Sequence, residues 1–268
     1  MNKFKLNMRK VVAIAICLAG SATMFAQDNT TDEGVIINGV KWATRNVDVP
    51  GTFAVNPEDA GMFYQWNRNI GWSASDPMIN SNGGTTWDYS FPYGIIWEKA
   101  NDPSPSGWRV PTHAEIQKLL DTDKVKNEWI DEKNGREYTD LTTGKKLFLP
   151  AVGFRHAGDE DGSGMLLFVG LSGFYWSSTV YSFNKAHAYC LESLIDGASW
   201  DTNIILNGLP VRPVAENGNT SVNDFSADPE NAVITGFFDM LGRRLNEEPA
   251  KGTYIIKYNN GMTKKMMK

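Results

Sequence analysis

The sequence has little cysteine, little histidine and no long apolar run, and each shortage closes off a class of protein. Two cysteines occur in 268 residues. Cys17 sits in the N-terminal apolar stretch, so the body of the chain holds Cys190 alone and has no partner for an internal disulfide. The three histidines, His113, His156 and His187, stand apart, without the H-x-x-x-H or H-E-x-x-H spacing that puts two imidazoles on one helix face for a metal. "GLSGF" is one residue short of a G-x-S-x-G nucleophile elbow. A formal charge of −5 speaks against nucleic acid, which calls for basic stripes. The longest apolar run, "VVAIAICLAG", falls short of the roughly 20 residues of a membrane span.

That apolar run follows "MNKFKLNMRK" and precedes "SATMFAQ", the basic, apolar and small-residue order of a secretory signal. The expected cut is after Ala26, leaving an exported chain with no transmembrane helix in its mature part. Cys17 is preceded by Ile16, which does not suit a lipid-modification site, and Cys190 is expected to be buried and free on the inward face of a strand in "KAHAYCLES".

What is abundant is glycine, 25 residues, and aromatics at 12%, a composition of short strands and loops. In "VIINGVKWATRNV", Asn38-Gly39 is a hairpin turn, because both residues tolerate a positive φ. In "GWRVPTHAEIQKLL", Pro111 keeps its predecessor extended, and Thr112 with Glu115 forms a capping box that opens a helix. Ile116, Leu119 and Leu120 give that helix one apolar face. A second helix is expected near 123–131. Then come "REYTD", "KKLFLPAVGFR", "GFYWSST", "AHAYCLE", "ASWDT" and "LPVRPV", short strands between Gly- and Asn-rich turns. The predicted class is α+β. Residues 216–231 read as a linker and 232–268 as a small basic β tail with a hairpin turn at Asn260-Gly261.

The stretch from Asn67 to Ser106 is polar, aperiodic and long for a loop, and such loops are usually functional or mobile. Trp72, Trp87, Tyr89, Phe91 and Tyr93 lie within it. Aromatics on a polar loop stack on sugar C–H faces or anchor a protein partner. The same rings equally well tack a long loop onto the body, and the sequence leaves both readings open. Trp42, Trp66, Trp108 and Trp176 belong to strands and joints and are expected in the core. "DEDGSG" places Asp159, Glu160 and Asp161 in a glycine-rich turn, where Asp159 and Asp161 are candidate calcium ligands, although the later bidentate Glu of an EF-hand loop is missing and a solvated acidic turn is the plainer reading.

"INGVKWATRNV", "MFYQWNR", "GWRVPTHAEIQKLL", "FLPAVGFR", "GFYWSST" and "LPVRPV" occur in the order found in the Fibrobacter succinogenes major paralogous domain, and residues 34–215 resemble that family. The resemblance implies a C-type-lectin-like domain, distantly similar to formylglycine-generating and sulfatase-modifying domains, on an exported or surface protein of Bacteroidetes-type bacteria. Family members often carry a cysteine before the G-W-R joint and another in the last strand. Here "PSPSGWR" and "VRPV" lack both, so the bridge the resemblance implies is gone as a pair, and Ile116 stands where a Trp often follows the joint's Glu. "FFDMLGRRL", "KGTYIIKY" and "NGMTKK" resemble the second half of a type IX secretion sorting domain, which implies contact with secretion machinery. The functional expectation is a non-catalytic module binding a glycan or surface protein through loops 67–106, with no cofactor. Two alternatives stand beside it, a structural or fimbria-associated surface subunit and a degenerate sulfatase-modifying-type enzyme.

Overall fold

A computed structural model describes residues 29–92, 94–158, 164–216, 234–239, 242–258 and 263–267. The signal-like residues 1–26 with Cys17, the greater part of the linker, and the Asn260-Gly261 turn lie outside the described residues. The chain divides into two compact units, Met1–Gly218 and Asn219–Lys268. No helix among the described residues is long and apolar enough to cross a membrane.

The α+β class expected from the sequence, and with it the C-type-lectin-like arrangement, is overturned: the chain is nearly all β. Among the described residues there is one α-helix, His113–Leu119, and two three-residue 3₁₀ turns at Lys99–Asn101 and Asp131–Lys133. The second helix expected near 123–131 is the strand Val125–Ile130, which pairs antiparallel with Gly135–Asp140 over its whole length, Val125 opposite Asp140 and Ile130 opposite Gly135. Val125 and Trp129 are four apart, a spacing that suits one helix face and one strand face equally. Pairing decides it. Asn134 takes φ +48° at the turn, and Lys146–Pro150 completes the meander.

In the first unit, Val35–Ile37, Val40–Trp42, Val214–Ala215 and Trp108–Arg109 form one sheet in that order, with the hairpin turned at Asn38-Gly39 as the sequence predicts. A second sheet runs Met165–Leu167, Phe154–His156, Gly208–Pro210, Phe63–Gln65 and Gly71–Trp72. A third holds Ser172–Val180, His187–Leu194 and Ala198–Ile204. The Phe63–Gln65 and Ser172–Val180 strands are clamped reciprocally: the Trp176 indole donates to the Tyr64 carbonyl at 2.6 Å and the Trp66 indole to the Ser177 carbonyl at 2.9 Å. Trp42, Trp66, Trp108 and Trp176 are all buried, and so is the free Cys190.

The joint at 107–120 forms as its residues dictate. The Thr112 hydroxyl accepts from the Glu115 N–H, and the Thr112 N–H donates to the Glu115 carboxylate at 2.8 Å. Arg109 grips the same carboxylate at 2.6 and 2.9 Å. Burial alone would raise the Glu115 carboxyl, but the Arg109 and Thr112 donors outweigh it and hold it below the usual carboxylate value. Ile116 and Leu119 then enter a core with Trp42, Tyr138, Tyr175 and Leu191.

Two buried arginines fasten loops to this body. Arg212 donates to the Asn46 side chain at 2.8 Å and to the Ala43 carbonyl at 3.3 Å, and burial pushes its guanidinium down to about 10. Arg155 donates to the carbonyls of Ser73, Ser75 and Gly164 and to the Asp76 carboxylate at 3.2 Å. The second unit is a single antiparallel sheet, ordered Arg244–Leu245, Ile234–Phe238, Thr253–Tyr258 and Thr263–Met267, with Tyr254 and Ile256 buried.

Candidate functional site

The aromatic residues of loops 67–106 divide between interior and surface. Trp72 is 2% exposed and Trp87 4%. Their rings pack against one another at 4.8 Å, in a cluster with Phe63, Val152 and Ala157. The Trp87 indole donates to the Leu206 carbonyl at 3.2 Å, and Gly164 and Gly208 close over its ring so tightly that a Cβ on either would sit about 3.0 Å from it. Both indoles are buried, which is the arrangement that the packing alternative for these rings expects. They hold the loop down, together with Arg155. Tyr89 is half exposed, but its hydroxyl is tied to the Ala157 carbonyl at 2.9 Å. Phe91 is exposed. Tyr93, and the candidate calcium ligands Asp159 and Asp161 with Glu160, lie outside the described residues. Among the described residues, no three His, Cys, Asp or Glu side chains gather as a metal site would require.

A second group of rings collects elsewhere, around one face of the three-stranded sheet whose middle strand is His187–Leu194. Side chains alternate along His187–Leu194, so Ala188 and Cys190 enter the core while Tyr189 and Leu191 face the other way. Leu191 lies under the helix, with Ile116 and Leu119, and opposite Trp200 of the last strand. The helix therefore crosses this face, and its first residue, His113, overhangs Tyr189. Their rings stack at 3.8 Å with only 5° between planes. Trp200 stands edge-on to both, at 5.1 Å from His113 and 5.5 Å from Tyr189. After the Ser172–Val180 strand, Tyr181 meets Tyr189 at 5.4 Å and Phe183 at 5.5 Å. Trp200 is 47% exposed and Phe183 87%.

Backbone bonds fix the platform from beneath. The His113 N–H donates to the Thr179 hydroxyl at 3.1 Å, and the Ser178 N–H to the Pro111 carbonyl at 2.7 Å. Partial burial lowers the His113 pKa, so the neutral imidazole is favoured, and its Nε2 has no hydrogen-bond partner. A β-bridge between Ile96 and Thr179 brings loop 67–106 to the platform's edge, where Ile95 and Ile96 are exposed.

Next to the platform, across Thr112 and Ser178, opens a cleft of about 360 Å³ lined by Trp97, Lys99, Asp102, Arg109 and Glu216. A second hollow of about 460 Å³ lies between Asp48, Asp59 and Met62 and has no aromatic lining. Burial raises its Asp48 carboxyl, and the nearby Asp59 charge adds to the effect.

Strand alternation in "KAHAYCLES" already turns Tyr189 outward once Cys190 is inward. The pairing register that brings Trp200 beside it, and the helix crossing that supplies His113, are tertiary facts. Searches against family models, curated proteins and solved structures each return no match to this chain.

Proposed function

We propose that this chain is an exported, non-catalytic binding module of the Fibrobacter succinogenes major paralogous type, and that it recognises a glycan through the platform of His113, Tyr181, Phe183, Tyr189 and Trp200. One observation carries the reading: five rings from three separate segments converge on one face, and two of them are held open to solvent. Ordinary folding hides such rings. Flat ring faces suit the C–H faces of pyranose sugars, and anchored aromatics lose little freedom on binding.

The non-catalytic part rests on Cys190. It is the one cysteine outside the N-terminal apolar stretch, it is fully buried, and burial first, then the Asp201 and Glu192 charges, push its thiol well above the ordinary value. A thiol kept protonated and inaccessible is a poor nucleophile, which disfavours the degenerate sulfatase-modifying reading.

A second reading, a structural surface subunit, draws on a different feature. Met165, Phe168, Val169 and Leu171 are all more than half exposed or close to it around one turn, an apolar patch of the kind that meets other proteins. Glycan-array binding that disappears in Trp200→Ala and Phe183→Ala, with melting temperature unchanged, supports the first reading. Absent glycan binding, with co-purification on surface fibres lost in Val169→Asp and Leu171→Asp, supports the second.

A further inference from the structure

We infer that the cleft beside the platform is a continuation of the same site and restricts it to uncharged polysaccharides longer than a disaccharide. This rests on the glycan reading above. Two observations carry it, one of position and one of charge.

Position comes from shared residues. Thr112 and Ser178 line the cleft, and their chain neighbours His113 and Thr179 belong to the platform and its support. Consecutive Cα atoms are about 3.8 Å apart, less than the span of one sugar ring, so a chain lying on Tyr189 and Trp200 meets the cleft with its next units.

Charge comes from the side chains that line or back the cleft. Lys99 is ion-paired with Glu216, and Arg109 is held by both oxygens of Glu115. Asp102 accepts the Ser104 N–H at 2.9 Å and the Val110 N–H at 3.0 Å. Two cations against three carboxylates leave one negative charge, and each cation is already matched. An anionic sugar would have to break a pair and would meet repulsion from Asp102 and Glu216. A neutral sugar has neither problem. Its hydroxyls donate to carboxylate oxygens and accept from Lys99 without disturbing the ionic balance, and the Trp97 ring lines the floor.

The test uses the full chain and isothermal titration with cellohexaose, mannohexaose and xylohexaose, their disaccharides, and hexagalacturonate. At least one neutral hexasaccharide should bind more tightly than its disaccharide, and hexagalacturonate should bind least. Affinity should change less than about twofold between about 0.05 and about 0.5 M salt, because no charge attraction is being screened. The double variant Lys99→Ala, Glu216→Gln removes an exposed ion pair of little consequence for folding. It should weaken the hexasaccharide about tenfold while leaving the disaccharide unchanged. Trp200→Ala should weaken both. If Trp200→Ala abolishes binding but the double variant leaves the length preference intact, the cleft inference fails and the platform reading survives. Tighter binding of hexagalacturonate than of every neutral hexasaccharide overturns the inference in the same way. If no neutral hexasaccharide binds, both are overturned.

Discussion

Trp87 and Trp200 have opposite fates that neither residue type nor local polarity explains. Trp87 sits in "GGTTWDYS", a polar setting, and is covered by Gly164 and Gly208. Trp200 sits in a regular strand and is half open. The lesson is about what lies above each ring. A loop crossing the body must bury something to be held there, and its largest side chains are what it has. A strand at the edge of a sheet already has its backbone paired on one side, and its outward face is covered only as far as the seven-residue helix reaches. Beyond that end the Trp200 ring remains half open, while Tyr189 lies under His113.

The sharpest way to break this comparison is to truncate both rings. Trp87→Ala should cost about 3–5 kcal/mol of unfolding free energy, as for a large buried ring, whereas Trp200→Ala should cost less than about 1 kcal/mol. Equal losses in urea unfolding would erase the distinction between the two regions. Next comes the pin under the loop. Arg155→Met keeps the stem and removes the guanidinium from three carbonyls and Asp76, and should cost about 3 kcal/mol and expose residues 73–76 to limited proteolysis. Unchanged protease resistance would mean that Trp72 and Trp87 hold the loop unaided. Tyr89→Phe, which removes only the hydroxyl bonded to Ala157, should cost about 1 kcal/mol and leave sugar binding alone.

The smallest effect belongs to the platform and depends on pH. His113 has a folded pKa below its ordinary value of 6.5, so the unfolded chain takes up the proton first. Stability should therefore be complete above that value and decline as pH falls from about 6.5 toward the lower folded pKa. Comparison of wild type with His113→Gln, by urea midpoints from pH 7.5 to 5.5, isolates this contribution. A variant whose midpoints fall as steeply as those of the wild type would remove His113 from the account.

How much of this could be read in advance depends on how local each feature is. The Pro111–Glu115 joint and the Asn38-Gly39 hairpin were legible because capping and left-handed turns are satisfied within a few residues. Val125 and Trp129 fit either period, so the sequence over 123–131 suits a helix as well as the strand Val125–Ile130 that forms. The turn that follows gives less warning than Asn38-Gly39: of its residues Asn134 alone takes a positive φ, after the 3₁₀ turn Asp131–Lys133, and Gly135 already belongs to the next strand. The site was less legible still. Burial of Trp87 depends on Gly164, Leu206 and Gly208, far along the chain, and the platform joins residues 113, 181–189 and 200 through a pairing register that sequence alternation does not specify. Polarity of the loop was a correlation, and packing overruled it.

The strand that bears the platform also carries its own reporter. Cys190 lies one residue from Tyr189 with its side chain on the opposite, fully enclosed face, and it is the only thiol in the described chain. A thiol reagent reaches it only in those instants when the central strand parts from its neighbours, so the slow labelling rate counts openings of the sheet. On the glycan reading proposed above, a sugar seated on the platform would favour the closed form and slow that count in proportion to its occupancy. Events on one surface of the sheet can therefore be timed from the other, which puts the glycan proposal within reach of a measurement that needs no label near the platform.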